Sequence, residues 1–314
     1  MQNSSLKIRY IPKRRGYRKI VTYKNGEQEL RNFHRNVNML ISKRVIQSKF
    51  AKAYIKNRSI ISNAKEHMYN DIFIMVDIKD FFQSINHTRM TNLLFREINK
   101  GNKKTTVTKV TCRKIVESCS ISDKGLGVGL VPSPALANIY LKQFDGILYG
   151  TLKKMNLENV RYTRYADDMT ISYRGISAFS TEIIDTISRL LKRYGLKLNS
   201  KKSKIIDLEK SNHVRVTGII ISKGQNNNRV LTVGRKRKNE LYQNAIKLVK
   251  KEKSNRSESE INRVKGMQSF ILSVEGIEYE NTYSEGMQKV ITDLGYRSLK
   301  EMIDSLEGKN CNKS

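Results

Sequence analysis

Residues 161–173, RYTRYADDMTISY, place alternating β-branched, aromatic and polar residues on both sides of Ala166-Asp167-Asp168. A period of two on each flank predicts two strands, and so short a link between them leaves room only for a tight turn. Filling that turn is one role for the acids, since Asp is common in turns. Yet the tip lacks the glycine that two-residue hairpin turns favour, and adjacent carboxylates repel each other. Something cationic is expected beside them.

The rest of the chain is strongly positive. Sixty Lys and Arg against 29 Asp and Glu give a net charge of +31 over 314 residues, which repels itself unless a polyanion shares it. Nucleic acid is the expected partner, and an ordinary soluble basic protein is the alternative. No membrane partner is expected, because no stretch reaches the ~18 apolar residues of a spanning helix. The first residues are basic without an apolar run, which predicts a cytoplasmic location. Cys112, Cys119 and Cys311 lack metal-type spacing and read as plain thiols.

Hydrophobic periodicity divides the chain. Residues 1–26 read as a basic strand pair closed at Gly16, and 27–50 as an amphipathic helix through Leu30, Phe33, Val37, Leu40, Ile41 and Val45. FIMVDI, 73–78, reads as a strand buried on both faces. After a glycine-containing loop, Ser133 is the expected N-cap and Pro134 the first position of a helix. Another helix is expected from Ser180 to Tyr194, stopped by Gly195, and strands in LKLNSKKSKII and HVRVTGIIIS. The order predicts an α+β fold with helices packed on a mainly antiparallel sheet. From Arg229 onward basic helices dominate, with a boundary expected in KGQNNN, 223–228.

Asp77 interrupts the apolar run FIMVDI, and a carboxylate there requires a charge partner or a metal. If the strands bearing Asp77 and Asp167 are neighbours, their oxygens suit two Mg²⁺ ions about 4 Å apart, the arrangement of phosphoryl-transfer sites. An Asp–Lys or Asp–Arg pair is the competing reading.

These residues resemble motifs of reverse transcriptases. Tyr165-Ala-Asp-Asp168 is similar to their catalytic turn and Val76-Asp-Ile-Lys-Asp-Phe-Phe82 to the strand carrying their first metal-binding aspartate. Gly129-Leu-Val-Pro-Ser-Pro-Ala-Leu-Ala-Asn138 resembles the loop and helix that grip template and nucleotide, and Gly195-Leu-Lys-Leu-Asn-Ser-Lys-Lys202 the later lysine motif. Asn63-Ala-Lys-Glu-His67 and Val216-Thr-Gly218 are similar to two signatures of bacterial retron enzymes. Val131 and Pro132 depart from the family, which has proline followed by serine or threonine there.

The resemblance implies a right-hand polymerase: fingers at 1–72, a palm at 73–222 with an inserted fingers segment around 88–128, a basic helical thumb at 229–308 and a flexible tail at 309–314. It implies an RNA-directed DNA polymerase acting on dNTPs, with Asp77, Asp167 and Asp168 as ligands of two Mg²⁺ and Lys202 neutralising the leaving pyrophosphate. Lys201 and Lys204 compete for that last role. Lys13 and Arg18 would bind the incoming triphosphate, alongside Arg14, Arg15 and Lys19, and Ser133 lies in the nucleotide-gripping loop. Phe82 would exclude ribonucleotides while Phe81 joins the core. Asp80 reads as a local cap or ion-pair partner.

RNA contact is implied for Asn63, His67, Thr217 and Gly218, with core or strand-edge packing as the alternative. Arg235, Lys236, Arg237 and Lys238 are the expected phosphate contacts of the thumb, or else a solvated helix face behind Leu241, Ala245, Leu248 and Val249. Retron membership would add a cognate structured RNA (msr-msd), a branched msDNA product primed from a guanosine 2′-hydroxyl, and an effector protein in antiphage defence. An intron-encoded or diversity-generating enzyme, or a catalytically idle RNA-binding scaffold, are the other readings. If phosphates lead the binding, RNA affinity falls steeply as salt rises, measured by anisotropy across a salt series; a flat response refutes this.

Overall fold

The structure is a computed structural model describing residues 5–13, 16–101, 105–224 and 228–306. Arg14, Arg15, the whole 307–314 tail with Cys311, and residues 225–227 of the expected boundary lie outside the described residues. The chain forms two compact units, Met1–Ser211 and Asn212–Ser314.

The first unit opens with an antiparallel ribbon, β1 (Leu6–Pro12) and β2 (Tyr17–Tyr23), with Gly16 at its turn. Helix α1 (Gln28–Arg44) follows and stops earlier than its pattern predicts. Val45 is already extended, and the next segment is taken up by pairing of Ala51 with Arg164. The buried face of α1 also differs: Phe33 is exposed, while His34 is buried and held by the Tyr23 hydroxyl at 2.8 Å and Ser118 Oγ at 3.0 Å.

After the short helix α2 (Ile60–Lys65), β3 (Ile72–Asp77) forms an inner strand of a four-stranded antiparallel sheet. Helices α3 (Phe81–Ser84), α4 (His87–Ile98) and α5 (Lys109–Ser118) come next, then the long α6 (Ser133–Lys154). The hairpin β4 (Glu158–Tyr165) and β5 (Asp168–Arg174), helix α7 (Ser180–Arg193) and β6 (Lys204–Asp207) complete the unit, in sheet order β4-β5-β3-β6. Only residues 204–206 of LKLNSKKSKII lie in a strand, because Ser200–Lys202 turns as a 3₁₀ helix.

The core joins Ile72, Ile74 and Val76 of β3 to Leu136, Tyr140 and Phe144 of α6 and Ile183, Ile187 and Leu191 of α7. Ser133 is not the N-cap of α6. The helix already contains it, since Leu136 N donates to Pro132 O at 3.0 Å, so the turn starts one residue earlier. The glycine loop before α6 lies against β2: Val21 N donates to Val128 O at 2.8 Å. Gly129 has φ +112°, and a Cβ there would come 2.7 Å from Val21 O, so only glycine fits.

The second unit contains β7 (His213–Val216), β8 (Ile219–Lys223) and β9 (Arg229–Thr232), then α8 (Arg235–Val249), α9 (Glu258–Glu275), α10 (Glu285–Asp293) and α11 (Leu299–Asp304). HVRVTGIIIS is a hairpin, not one strand; Thr217 (φ 46°) and Gly218 (φ 93°) take the left-handed conformations that its two-residue turn requires. Because β7 and β8 pair through to β9, the division falls at Ser211 and Asn212, ahead of the expected KGQNNN boundary.

Asn63 and His67 are buried, contrary to a role as RNA contacts. Helix α2 ends at Lys65, and His67 drops beneath the β4–β5 hairpin, with Nδ1 2.7 Å from Ser172 Oγ and Nε2 2.7 Å from Thr163 Oγ1. Burial, reinforced by Lys52 and Arg161, depresses its pKa to about 3. The unfolded state, with a pKa near 6.5, binds this proton first, so stability falls as pH drops from about 6.5 toward 3. The expected loss from His67 is on the order of 3 kcal/mol at pH 4. Urea unfolding across this range should show a shallower acid slope for His67→Gln, and an unchanged slope refutes the assignment.

Candidate active site

The strand register assembles the acids. Asp77, the last residue of β3, pairs directly with Asp168, the first of β5. Ile78 N donates to Asp167 O at 3.1 Å, locking the adjacent turn residue to the same strand end. The turn is only Ala166-Asp167, and Ala166 supplies the positive φ (59°) that a glycine would otherwise provide.

That strained turn is held from beneath. Arg164 is wholly buried and donates from Nε and Nη2 to the two oxygens of buried Asp145 on α6, at 2.8 and 2.9 Å. Its Nη1 donates to Ala166 O and to Asn138 Oδ1, both at 3.1 Å. Tyr162 also donates to Asp145 Oδ1 at 2.8 Å, and Asn138 Nδ2 to Ala53 O at 3.0 Å. The guanidinium therefore ties the tip of the hairpin to α6. Nothing in RYTRY marks Arg164 as buried; only its place on a strand packed against a helix reveals it.

Asp77 Oδ1 accepts from Asn199 Nδ2 and Oδ2 from Lys202 Nζ, each at 3.0 Å. Asn199, inside the lysine motif but given no role by sequence, also donates its backbone N–H to Asp77 O at 2.8 Å. Burial and then the Asp77 charge raise the Asp167 pKa, against a lowering by Lys202 and Arg18. Burial, Asp167 and Asp77 push Asp168 up to about 6. The hydrogen bond to Asp77 raises Lys202 in turn.

Three acids thus lie within electrostatic reach of one another at one end of the sheet, with Lys202 and Arg18 as the nearby cations. Hard oxygen donors of this kind fit a divalent cation. Among the described residues, no three His, Cys, Asp or Glu side chains stand close enough to form a ready cage. Each Asp77 oxygen accepts one hydrogen bond and keeps a lone pair for a cation, and movement of Lys202 would free more of Oδ2. The Lys202 side chain is 63% exposed, which leaves it room to move.

The remaining sites divide. Arg18 is close enough to act on Asp167, whereas Lys13 stands exposed at the ribbon end, its N–H closing the turn to Gly16 O at 3.0 Å. Phe81 is in the core, as expected, and half-buried Phe82 packs on it with ring centroids 5.5 Å apart. Asp80 is exposed and makes no capping hydrogen bond, although it occupies the N-cap position of α3. Ser133 is fully buried, and its Oγ has no partner among the described residues, so it presents nothing to a nucleotide. Tyr54 escaped sequence reasoning: it is exposed, has φ 60°, and lies within the field of Asp167, Tyr165 and Arg18.

In the second unit, Arg235 and Lys236 are exposed. Arg237 lies over the Phe270 ring at 5.3 Å and donates to Gly218 O at 3.3 Å. Lys238 is buried and bonds Glu275 at 2.9 Å, which removes it from the expected phosphate contacts.

Residues 11–221 match the reverse transcriptase (RNA-dependent DNA polymerase) family. The chain belongs to that family. Its curated relatives include the retron Ec73 reverse transcriptase of Escherichia coli, 36% identical over 54% of this chain and 54% of that protein. The retron Ec83 reverse transcriptase, also from Escherichia coli, is 25% identical over 94% of this chain and 89% of the relative. The chain is thus similar to bacterial retron reverse transcriptases, and its match to the Ec73 relative spans about half the length of that protein. An apo telomerase from Candida tropicalis shares the fold, with a TM-score of 0.53 at 12% identity, over 98% of this chain and 65% of the telomerase. The fold is that of right-hand polymerases. No helix among the described residues is long and apolar enough to cross a membrane.

Arg164→Met leaves the Asp145 carboxylate buried without its guanidinium, so a loss of about 3–5 kcal/mol in folding stability is expected. Chemical denaturation measures it; a change below about 1 kcal/mol refutes the anchoring role.

Proposed function

We propose that this reverse transcriptase is a retron RNA-directed DNA polymerase that joins dNTPs to a primer hydroxyl on an RNA template. The observation that carries this reading is the pairing of Asp77 with Asp168 beside Asp167, since acids from separate strands meet where a nucleotide-joining site needs them.

Asp77, Asp167 and Asp168 would hold two Mg²⁺, which when bound neutralise the charge on the attacking and leaving oxygens. Arg18 orients the incoming triphosphate through its planar fork, with Lys13 at the ribbon end as a further phosphate contact. Lys202, released from Asp77, carries its proton to the pyrophosphate side. Phe82 presents an apolar ring that leaves a ribose 2′-hydroxyl without a hydrogen-bonding partner. Exposed Arg235 and Lys236 contact RNA phosphates.

The retron relatives support a narrower reading: a cognate msr-msd RNA, priming from a guanosine 2′-hydroxyl, a branched msDNA product, and an effector protein in antiphage defence. Sequencing the nucleic acid that co-purifies with the protein tests this, because a 2′–5′ branch joining RNA to DNA identifies the subclass and unbranched product refutes it. For the polymerase itself, Asp167→Asn is expected to lower primer extension with Mg²⁺ and dNTPs on the order of 100-fold or more while RNA binding persists. Undiminished extension by that variant removes the acids from the chemistry.

A further inference from the structure

A cavity of ≈ 540 Å³ opens on the first unit between α4, α6 and the end of α7, and its lining includes none of the three acids, Asn199 or Lys202. Three arginines enter it, Arg89 and Arg96 from α4 and Arg193 from α7. Leu93, Ile147, Leu190 and Tyr194 give it an apolar floor.

The arginines converge. Arg89 lies over the Tyr194 ring at 4.7 Å, a stacking that orients its planar fork. All three line the recess beside Tyr194, whose phenol is raised by burial, lowered by Arg89, Arg193 and Arg96, and raised again by Asp145. Counter-charge is scarce. Among the described residues no carboxylate pairs with Arg89 or Arg193, and Arg96 reaches Glu97 only at 3.4 Å, while Lys142 holds that carboxylate at 2.6 Å. Like charges gathered in a recess attract an anion more strongly than the same charges spread over a convex face.

We propose that this cavity is a second phosphate site, receiving the phosphate groups of a nucleotide whose sugar or base rests on the apolar floor. Guanidinium forks match phosphate oxygens two at a time, and the volume lies within the range of small-ligand sites. An inorganic ion alone would leave the floor unused. The nucleotide is either one unit of a bound RNA strand or a free mononucleotide.

Two experiments on the full chain test this and separate the sources. In the first, binding of a labelled hairpin RNA by R89Q/R193Q is compared across a salt series with that by K43Q/K154Q, which removes the same charge from exposed positions of α1 and α6. The cavity variant is expected to bind more weakly, with a salt slope shallower by about 1.4 relative to the parent. Equal behaviour of the two variants overturns docking of an RNA strand.

In the second, phenylglyoxal modification of the parent protein is mapped by mass spectrometry with hairpin RNA, AMP or poly-glutamate present. Protection of Arg89 and Arg193 by RNA alone identifies the strand, and protection by AMP identifies a free nucleotide. Protection by neither, or equal protection by poly-glutamate, refutes the phosphate site. Both readouts are binding, so their failure is distinguishable from failure of the polymerase reading, which rests on primer extension.

Discussion

The buried pair of Arg164 and Asp145 is the interaction on which the acidic end of the sheet depends. Placing two charges where solvent does not reach is favourable only when nearly every donor and acceptor is used. Here Tyr162, Asn138 and the Ala166 carbonyl complete the set. The consequence is positional. Ala166 adopts a backbone conformation that costs an alanine free energy, and a guanidinium bonded to its carbonyl holds it there. Asp167 follows directly, so the placement of that acid is set by a residue wholly removed from solvent.

The same logic runs through the polar core of the sheet. His67 links the hydroxyls of Thr163 and Ser172, one from each strand of the hairpin, and Asn70 donates to Ser172 Oγ at 2.8 Å and to Asn159 O at 3.1 Å. Fully partnered networks of this kind specify one register of the strands. A slip of one residue would turn Asp168 away from Asp77. The segment resembling a retron signature therefore packs beneath the hairpin that carries Asp167 and Asp168.

Much of this was legible in the sequence. FIMVDI, the stripe of α7 and the alternation around Ala166 all reported their elements because burial imposes periodicity directly. The convergence of Asp77 with Asp167 and Asp168 followed from two acids in strand-like settings. What stayed hidden was decided by partners distant in the chain. Arg164 and Lys238 read as solvated charges until Asp145 and Glu275 are found opposite them. No glycine or proline after Arg44 signals the end of α1; pairing of Ala51 with Arg164 imposes it. Ser133 has the form of an N-cap, but a turn beginning at Pro132 had already started the helix.

The fate of the paired cations has a quantitative side. Lys52, Lys142, Arg164 and Lys238 are each tied to an acid within 3 Å. Such groups already neutralise a carboxylate, so they are not free to replace the cations condensed on a nucleic acid. The counterions displaced when nucleic acid docks should therefore track the accessible arginines and lysines. A titration that assumes the formal valence would overstate how many are set free.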